Sequence, residues 1–432
     1  MLTIAPEKIL SDLIQIDSSN PPGNETAVAV YLKKLFDDAG IVGEIIEPEE
    51  GRGSYIVRLG QGSKKLLYIA HSDVVPVGDG WDFKPFSGEI KNGVVHGRGA
   101  LDCKDLIAAQ VSAALRLVEE KVPLNGELII AVTADEEIGG RLGAGFLAER
   151  RPELIQADFA VNEGADQPIM IKNKLAYFLQ VGEKGTAWCT LKAHGTAGHG
   201  SVPTLADNAV VKMARAVSRL HNYRAEVVVV PEVEKLLKSL AKLCGIEVQA
   251  LGPNEVDALL DQLPLEKAFV ESLRSMTRMT VSPNQIRGGT KTNIVPDYCE
   301  ADIDIRILPG QDCEYVEKEL RLIINKEIEI EFNEYRAPTF SSSRESFYRL
   351  MEEVTLGLAG DNAICLPVIS AGSTDSKFLR GAGIPSYGIG HMASGFDQQA
   401  RTTVHGKNER IDIESLSLKT DFLKELARRY LA

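Results

Sequence analysis

Acidic residues and a histidine follow three apolar segments of the sequence, at the point where each segment ends. The junctions are Lys65–Ala70 into His71-Ser72-Asp73, Glu127–Thr133 into Ala134-Asp135-Glu136-Glu137, and Asp158–Asn162 into Glu163. A fourth segment places Asp102 just before a helix-like stretch. Ligands of open α/β sheets bind outside the carboxyl ends of the strands. We therefore expect these side chains to share one cleft.

Four of these side chains are carboxylates, belonging to Asp102, Glu136, Glu137 and Glu163. In one cleft they would repel one another, and some would take up protons. Two divalent cations would remove that conflict, and a bridging carboxylate allows them to lie about 3.5–4 Å apart, as in two-metal hydrolysis. Imidazole and carboxylate ligands suit zinc, with cobalt and manganese as alternatives. The six cysteines are scattered without a C-x-x-C pair, so His and carboxylates must hold any metal.

Other catalytic patterns are absent from the sequence. It contains no H-E-x-x-H, no G-x-S-x-G and no G-x-x-x-x-G-K-[ST], which argues against a zincin, a serine hydrolase and a P-loop enzyme. Among the histidines, His405 in T-V-H-G-K-N-E-R is the candidate ligand, and His391 in G-I-G-H-M is its alternative.

The whole-chain composition fits a globular enzyme of two domains. The chain has 432 residues, 44% of them hydrophobic and 25% charged. Its formal net charge of -13 argues against nucleic acid or an anionic membrane as a partner, because both need clustered Lys and Arg. The first sixteen residues lack the pattern of a secretory signal, and no apolar run suggests a membrane span. We therefore expect a cytoplasmic enzyme.

The apolar periodicity predicts how these residues are positioned. Helical spacing over Pro6–Ile16, Glu25–Ala39 and Leu106–Glu119 alternates with the short buried segments, which is typical of a mostly parallel sheet flanked by helices. This pattern covers residues 1–181 and resumes over 337–432. We therefore predict an α/β fold with a catalytic domain that is discontinuous in sequence.

Residues 182–336 have a different character. The segments Thr186–Ala193, Ala206–Leu220, Met279–Arg287, Glu300–Ile307, Glu314–Asn325 and Glu327–Glu334 follow a strand-helix-strand-strand-helix-strand order. A helical insertion near 231–275 interrupts it. The order predicts an inserted α+β domain with an open βαββαβ sheet.

Together the motifs identify a resemblance that spans residues 71 to 405. H-S-D-V-V-P, G-R-G-A-L-D-C-K-D, D-E-E-I-G-G, N-E-G, A-G-H-G-S-V-P, R-G-G-T-K-T-N-I-V-P and G-S-T-D-S resemble the M20 metallopeptidase family. That family includes acetylornithine deacetylase, succinyl-diaminopimelate desuccinylase, aminoacylase-1 and glutamate carboxypeptidase. The resemblance implies that the inserted domain acts as a lid and dimerisation domain of a homodimer.

The resemblance also implies a role for each residue of the predicted cleft. One ion would be held by His71, Asp102 and Glu163, and the other by Asp102, Glu137 and His405, with Asp102 as the bridge. Glu136 would be the general base, and Asp73 would fix the tautomer of His71. The Asp102–Cys103 peptide bond is expected to be cis.

Residues of the inserted domain are implied to act on the substrate. His199 would stabilise the oxyanion, reaching over from the partner subunit. Asn293 and Arg306 would bind the carboxylate of the substrate, with the backbone of Gly372 nearby.

The function implied is hydrolysis of an amide or peptide bond next to a free carboxylate. Members with Glu at the position of Glu163 tend to be deacylases or carboxypeptidases, so the expected substrate is an N-acyl amino acid or a peptide that loses its C-terminal residue. An M20-type dipeptidase is the alternative within the enzyme class. A catalytically silent binder of amino-acid conjugates is the alternative from another class, and turnover that requires Glu136 would exclude it.

Overall fold

The computed structural model describes residues 5–432, and the chain divides into two units. The first unit comprises the chain up to Val181, Ser341–Val368 and Thr374–Ala432. The second unit comprises Gly182–Phe340 and Ile369–Ser373. Within residues 5–432, none of the helices combines the length and the apolar character needed to cross a membrane.

The helices are numbered here in chain order. They are α1 Pro6–Ile14, α2 Glu25–Asp38, α3 Lys104–Glu119, α4 Ala144–Arg150, α5 Ala209–Asn222, α6 Pro231–Cys244, α7 Pro253–Gln262, α8 Lys267–Ser275, α9 Cys313–Ile323, α10 Ser346–Ala359, α11 Ser376–Gly381 and α12 Ile413–Leu431. Short 3₁₀ turns cover Glu136–Ile138, Pro152–Leu154, Pro203–Leu205 and Gln398–Thr403.

The strands follow the same convention. They are β1 Gly43–Ile46, β2 Ser54–Gly60, β3 Lys65–His71, β4 Glu89–Lys91, β5 Val94–His96, β6 Glu127–Thr133, β7 Phe159–Asn162, β8 Ile169–Ile171, β9 Lys174–Glu183, β10 Gly185–His194, β11 Gly198–His199, β12 Thr280–Gly288, β13 Ile294–Val295, β14 Tyr298–Ile307, β15 Ile328–Arg336, β16 Thr339–Phe340, β17 Ala363–Ser370, β18 Ser386–Ile389 and β19 Arg410–Asp412.

The main sheet of the first unit is parallel at its centre and antiparallel towards its edges. Its order is β1-β2-β6-β3-β7-β18-β9, and β8 and β17 also pair with β9. The strands β6, β3, β7 and β18 run parallel, whereas β1, β2 and β9 are antiparallel to their neighbours. The predicted α/β fold with a mostly parallel central sheet flanked by helices is confirmed. A separate sheet, β19-β5-β4, was not predicted.

The interiors of the central strands β3 and β6 are apolar, since helices cover both faces of the sheet. On one face Leu67 and Ile69 of β3 pack with Ile129 of β6, Leu147 of α4 and Leu379 of α11. Helices α1, α3 and α12 pack against one another, and α3 and α12 also contact β3. Each fully buried side chain of this size stabilises the fold by about 1.5–3 kcal/mol.

Strand register brings the predicted site residues to one edge. His71, the last residue of β3, lies opposite Thr133, the last residue of β6, in a parallel pairing. Strand β7 pairs with the other side of β3 and ends at Asn162, immediately before Glu163. Three consecutive parallel strands therefore end close together, as the sequence predicted.

The second unit has a four-stranded antiparallel sheet of order β12-β14-β10-β15. The core of this unit is formed by residues at every second position of its strands. Cys189 and Leu191 of β10 pack with Ile303 and Ile305 of β14 and with helices α5 and α9. The elements β10, α5, β12, β14, α9 and β15 follow one another along the chain in the order strand, helix, strand, strand, helix, strand. The interruption near 231–275 consists of the helices α6, α7 and α8. That this unit acts as a lid and a dimerisation domain stays a prediction.

Candidate metal centre

Asp102 lies between two histidines, with one carboxylate oxygen directed at each. Its Oδ1 lies 3.0 Å from Nε2 of His71, and its Oδ2 lies 2.9 Å from Nε2 of His405. Asp102 lies two residues before the start of α3 and is joined to Cys103 by the predicted cis peptide bond. The arrangement is that of a carboxylate able to bridge two cations.

Glu163 and Glu137 complete the two sides of this arrangement. Oε1 of Glu163 lies 3.7 Å from Nε2 of His71, and Oε2 of Glu137 lies 3.3 Å from Nε2 of His405. The donor atoms of Asp102, Glu137 and His405 lie within 4.8 Å of one another, as do those of His71, Glu136 and Glu163. The structure thus brings together all five predicted metal ligands and the predicted base.

Asp73 supports both His71 and the two adjacent glutamates. Nδ1 of His71 lies 3.0 Å from the backbone oxygen of Asp73 and 3.4 Å from its Oδ1, which favours the proton on Nδ1 and leaves the Nε2 lone pair directed at the cluster. The amides of Glu136 and Glu137 donate to the two carboxylate oxygens of Asp73, each at 3.1 Å. Asn20 donates to Oδ2 at 2.8 Å.

The ionisation of the cluster shows how strongly its charges interact. Burial, together with the charges of Asp102 and Glu137, raises the pKa of Glu163 to about 8. Burial, together with Glu163 and Asp375, raises the pKa of Glu136 well above its usual range. Burial opposes the ionisation of Asp102, but its bonds to His405 and His71 outweigh that effect and hold its pKa well below the usual range. Protons therefore neutralise the cluster when no cation is present.

Two residues that sequence reasoning missed hold the loops that carry Asp102 and His405. Glu409 is fully buried and accepts the amides of Leu101 (2.7 Å) and Asp102 (3.1 Å), and Arg98 donates to it at 2.7 Å. Arg98 also donates to the backbone oxygen of Gly406 at 2.8 Å. The sequence signals were the place of Arg98 in G-R-G-A-L-D-C-K-D and that of Glu409 in T-V-H-G-K-N-E-R, neither of which reveals its partners.

Asp375, of the G-S-T-D-S motif, is a further acidic residue beside the cluster. Thr133 donates to its Oδ2 at 2.8 Å, while its buried Oδ1 has no hydrogen-bond partner among residues 5–432. Burial raises its pKa to about 6. Asp375 also lies close to the backbone of Gly140. A Cβ atom at position 140 would be only 2.4 Å from Oδ1 of Asp375, so only glycine fits there.

A cavity of about 360 Å³ adjoins the cluster within the first unit. Asp102 and Glu163 line one side of it, and Ile389 and Met392 contribute apolar surface. His391, the alternative ligand, lies between these two residues in sequence but is buried. Its Nε2 lies 2.8 Å from the hydroxyl of Thr355, and it belongs to none of the groups of potential ligands found among the described residues.

The other predicted site residues belong to the second unit. His199 of β11 is paired with Ile294 of β13, next to Asn293, and the amide of Gly200 donates to the Asn293 oxygen at 2.8 Å. Nδ1 of His199 lies 2.7 Å from the hydroxyl of Ser201. Gly372 lies in the short segment Ile369–Ser373, and its amide donates to Oγ of Ser370 at 3.0 Å.

Arg306 is already paired on one edge of its guanidinium. Its Nε and Nη2 donate to Asp304 at 2.7 and 3.1 Å, and the group lies over the ring of Trp188, 5.5 Å from the ring centroid. Trp188 donates at 2.8 Å to Oδ1 of Asp304, the oxygen that also accepts from Nε of Arg306. These contacts hold the guanidinium in one orientation.

The family model of Peptidase family M20/M25/M40 matches residues 67–429. The chain belongs to this family. It is an M20 metal-dependent hydrolase of amide or peptide bonds, and the predicted family assignment is confirmed.

Similar M20 proteins span nearly the whole chain. The human N-fatty-acyl-amino acid synthase/hydrolase is 27% identical over 98% of this chain and 87% of its own length. A probable succinyl-diaminopimelate desuccinylase of Staphylococcus aureus is 24% identical over 98% and 97%.

Solved structures show the same M20 fold. The metallo-carboxypeptidase Sso-CP2 of Sulfolobus solfataricus has a TM-score of 0.73 and 22% identity, over 98% of this chain and 99% of that one. The YXEP protein of Bacillus subtilis, described as a dinuclear metal-binding peptidase, has a TM-score of 0.64 and 15% identity, over 99% and 96%.

Proposed function

We propose that this chain is a dinuclear metal amidohydrolase, with zinc as its metal, that cleaves the amide bond of an N-acyl amino acid or of a C-terminal residue. The observation that carries the proposal is the position of Asp102, whose two oxygens face His71 and His405 at 3.0 and 2.9 Å. A single carboxylate with an imidazole on each oxygen suits two cations better than one.

The charges and donor atoms of the cluster fit a pair of divalent ions. Carboxylates that hold protons because of burial and mutual repulsion would release them to cations. Oε1 of Glu137 is buried and has no hydrogen-bond partner within the described part of the chain, as expected of a ligand atom. His71, Asp102 and Glu163 would hold one ion, and Asp102, Glu137 and His405 the other. When bound, the ions would polarise the scissile carbonyl and bring the pKa of a water molecule towards neutrality.

Glu136 is the proton carrier in this proposal. Its backbone amide is fixed by Asp73, and its neighbour Glu137 is directed at His405, so Glu136 itself stays available. Glu136 would take a proton from the attacking water and then return it to the leaving nitrogen.

The second unit would recognise the substrate. Arg306 offers Nη1 on the edge that Asp304 leaves free, and a guanidinium held in one orientation loses little freedom on binding a carboxylate. Asn293 and the backbone of Gly372 would add to that binding, and His199 would stabilise the oxyanion. We extend the proposal to a homodimer in which His199 acts on the partner's substrate.

The names of the relatives support an acylated substrate. The human relative is named for N-fatty-acyl amino acids, and the Staphylococcus aureus relative for removal of a succinyl group. The cavity of about 360 Å³ beside Asp102 and Glu163 offers room for one group of such a substrate.

The test is hydrolysis by apo protein titrated with zinc. The substrates are N-acetyl, N-succinyl and N-fatty-acyl derivatives of one amino acid, together with free-amine dipeptides that end in the same amino acid. We expect activity on acylated substrates to reach a plateau at two zinc equivalents. In Glu136→Gln, turnover should fall about 10²–10⁴-fold while two zinc ions still bind.

Other outcomes would assign the alternatives. Cleavage of the free-amine dipeptides alone would make the chain a dipeptidase. Zinc binding without cleavage of any substrate would favour a silent binder. A chain that binds no metal would contradict the central claim.

A further inference from the structure

A buried arginine near the N-terminus reaches the turn that carries the proposed base. Arg52 is 8% exposed, and its guanidinium donates to both oxygens of Glu25, at 2.9 and 2.8 Å. Its Nη2 also donates to Oδ1 of Asp135 at 2.7 Å. Asp135 is the residue directly before Glu136. Arg52 thus joins the start of α2 to the end of β6.

Asp135 begins the segment Asp135–Gly140, which we call the base turn. Its backbone has a φ of 75°, in the left-handed region that few residues other than glycine, asparagine and aspartate adopt. Its own amide donates to Oε1 of Glu25 at 3.2 Å, and its Oδ2 accepts the amide of Leu142 at 3.0 Å. Side chains from outside the turn therefore hold this conformation.

Two groups of side chains hold the base turn through hydrogen bonds. Asp73 accepts the amides of Glu136 and Glu137, while Arg52 and Glu25 hold the residue that precedes them. Glu25 and Asp135 are both buried carboxylates, at 0% and 3% exposure, and Arg52 is the cation that both contact. If the guanidinium of Arg52 were lost, the two buried carboxylates would lack their shared cation, and the base turn would have to move.

We propose that Arg52, with Glu25, is a positioning residue for catalysis that sets the direction of the Glu136 and Glu137 side chains. The inference rests on the proposed function only for the roles of these two glutamates. It concerns geometry: a guanidinium can serve Glu25 with two bonds and Asp135 with a third, whereas an ammonium of equal charge cannot reproduce that planar fork.

The test compares Arg52→Lys with Arg58→Lys. Both arginines bracket the same pair of strands: Arg58 on β2 donates to Glu127 at the start of β6, whereas Arg52, just before β2, contacts Asp135 just after β6. Arg58→Lys therefore changes the same residue type at the end of the sheet away from the base turn. Asp135→Asn serves as a second variant, because asparagine tolerates the left-handed conformation and can still accept from Leu142.

Hydrogen exchange of the backbone amides gives a readout independent of metal and substrate. In Arg52→Lys and Asp135→Asn we expect the amides of residues 135–142 to exchange at least about ten times faster, with no such change in Arg58→Lys. Unchanged exchange in this segment, or the same acceleration in all three variants, would overturn the proposal.

Activity and zinc binding then separate a positioning role from a structural one. For Arg52→Lys we expect kcat to fall about 10–100-fold with KM within about threefold of the wild type, and one of two zinc affinities to weaken by a similar factor. A lower melting temperature with unchanged kcat and zinc affinities would leave Arg52 only a structural role. Wild-type protein without metal binding or turnover would contradict the proposed function, while the exchange result would still decide the position of the turn.

Discussion

The two histidines that flank Asp102 are held in opposite ways. The His71 side chain is 2% exposed, ends strand β3 and is fixed through Nδ1 by Asp73. The His405 side chain is 54% exposed and lies in a loop, with a φ of 57°. We call His71, Asp73 and Glu163 the strand half of the site. His405, Arg98 and Glu409 form its loop half.

The difference shows two ways in which a fold can fix the position of a proposed metal-binding histidine. The strand half takes the position of its backbone from sheet register, and Asp73 fixes the ring of His71. The loop half is not placed by strand pairing, and the buried ion pair of Arg98 and Glu409 instead ties the backbone near His405 to that near Asp102. We therefore expect each half to depend on its own support, the first on Asp73 and the second on Arg98 and Glu409.

The largest effect is expected from Asp73→Asn, which breaks the strand half. Asparagine offers one acceptor oxygen in place of the two that hold the Glu136 and Glu137 amides, and its NH₂ group would face a donor. We expect kcat to fall about 10²–10⁴-fold and both zinc affinities to weaken, measured by steady-state kinetics and calorimetry. Loss of only one zinc affinity would mean that Asp73 serves one ion alone.

A smaller effect is expected from Arg98→Lys, which loosens the loop half. Lysine keeps the charge next to Glu409 but cannot bond to Glu409 and Gly406 together with the same planar geometry. We expect one zinc affinity to weaken about 10–100-fold while the other stays within about threefold. Equal weakening of both affinities would contradict the division into two halves.

The smallest effect is expected on the free energy of unfolding, from the protonation of the buried His391. Burial and the charge of Lys419 lower the pKa of His391 to about 3, from an ordinary value of 6.5. The unfolded chain therefore binds this proton between pH 6.5 and 3 while the folded chain does not, so stability is lost as the pH falls through that window. At pH 5.5 the loss is on the order of 1 kcal/mol relative to pH 8.

His391→Gln removes this titration and isolates its contribution. Urea unfolding of both proteins at pH 8 and pH 5.5 should show that the wild type loses on the order of 1 kcal/mol more than the variant. An equal loss in the two proteins would show that His391 is not held neutral by its surroundings.

The sequence indicated that the residues of the strand half would lie near one another, because the pairing of parallel strands is regular. His71 and Glu163 follow apolar segments, and parallel strands place such ends together. The second unit was readable for a similar reason: alternation along β10 and β14 marks one buried face. Strand β9, which is buried along nearly all of its length, was not predicted.

The supports of the site could not be predicted from the sequence. Glu409 is 307 residues from the Asp102 amide that it accepts, and Arg52 is 83 residues from Asp135. No periodicity records such pairings, because each depends on how separate loops meet. The sequence predicted which side chains would form the cluster, but not what holds them in place.

The place of β18 in the main sheet has a consequence for synthesis on the ribosome. This strand, Ser386–Ile389, lies between β7 and β9, which are made more than two hundred residues earlier. Until it emerges, the edges of β7 and β9 that will face it lack their partner, and unpaired edges favour association with other chains. The nascent chain therefore carries a gap in its main sheet while about two hundred residues are added, and one four-residue strand closes it.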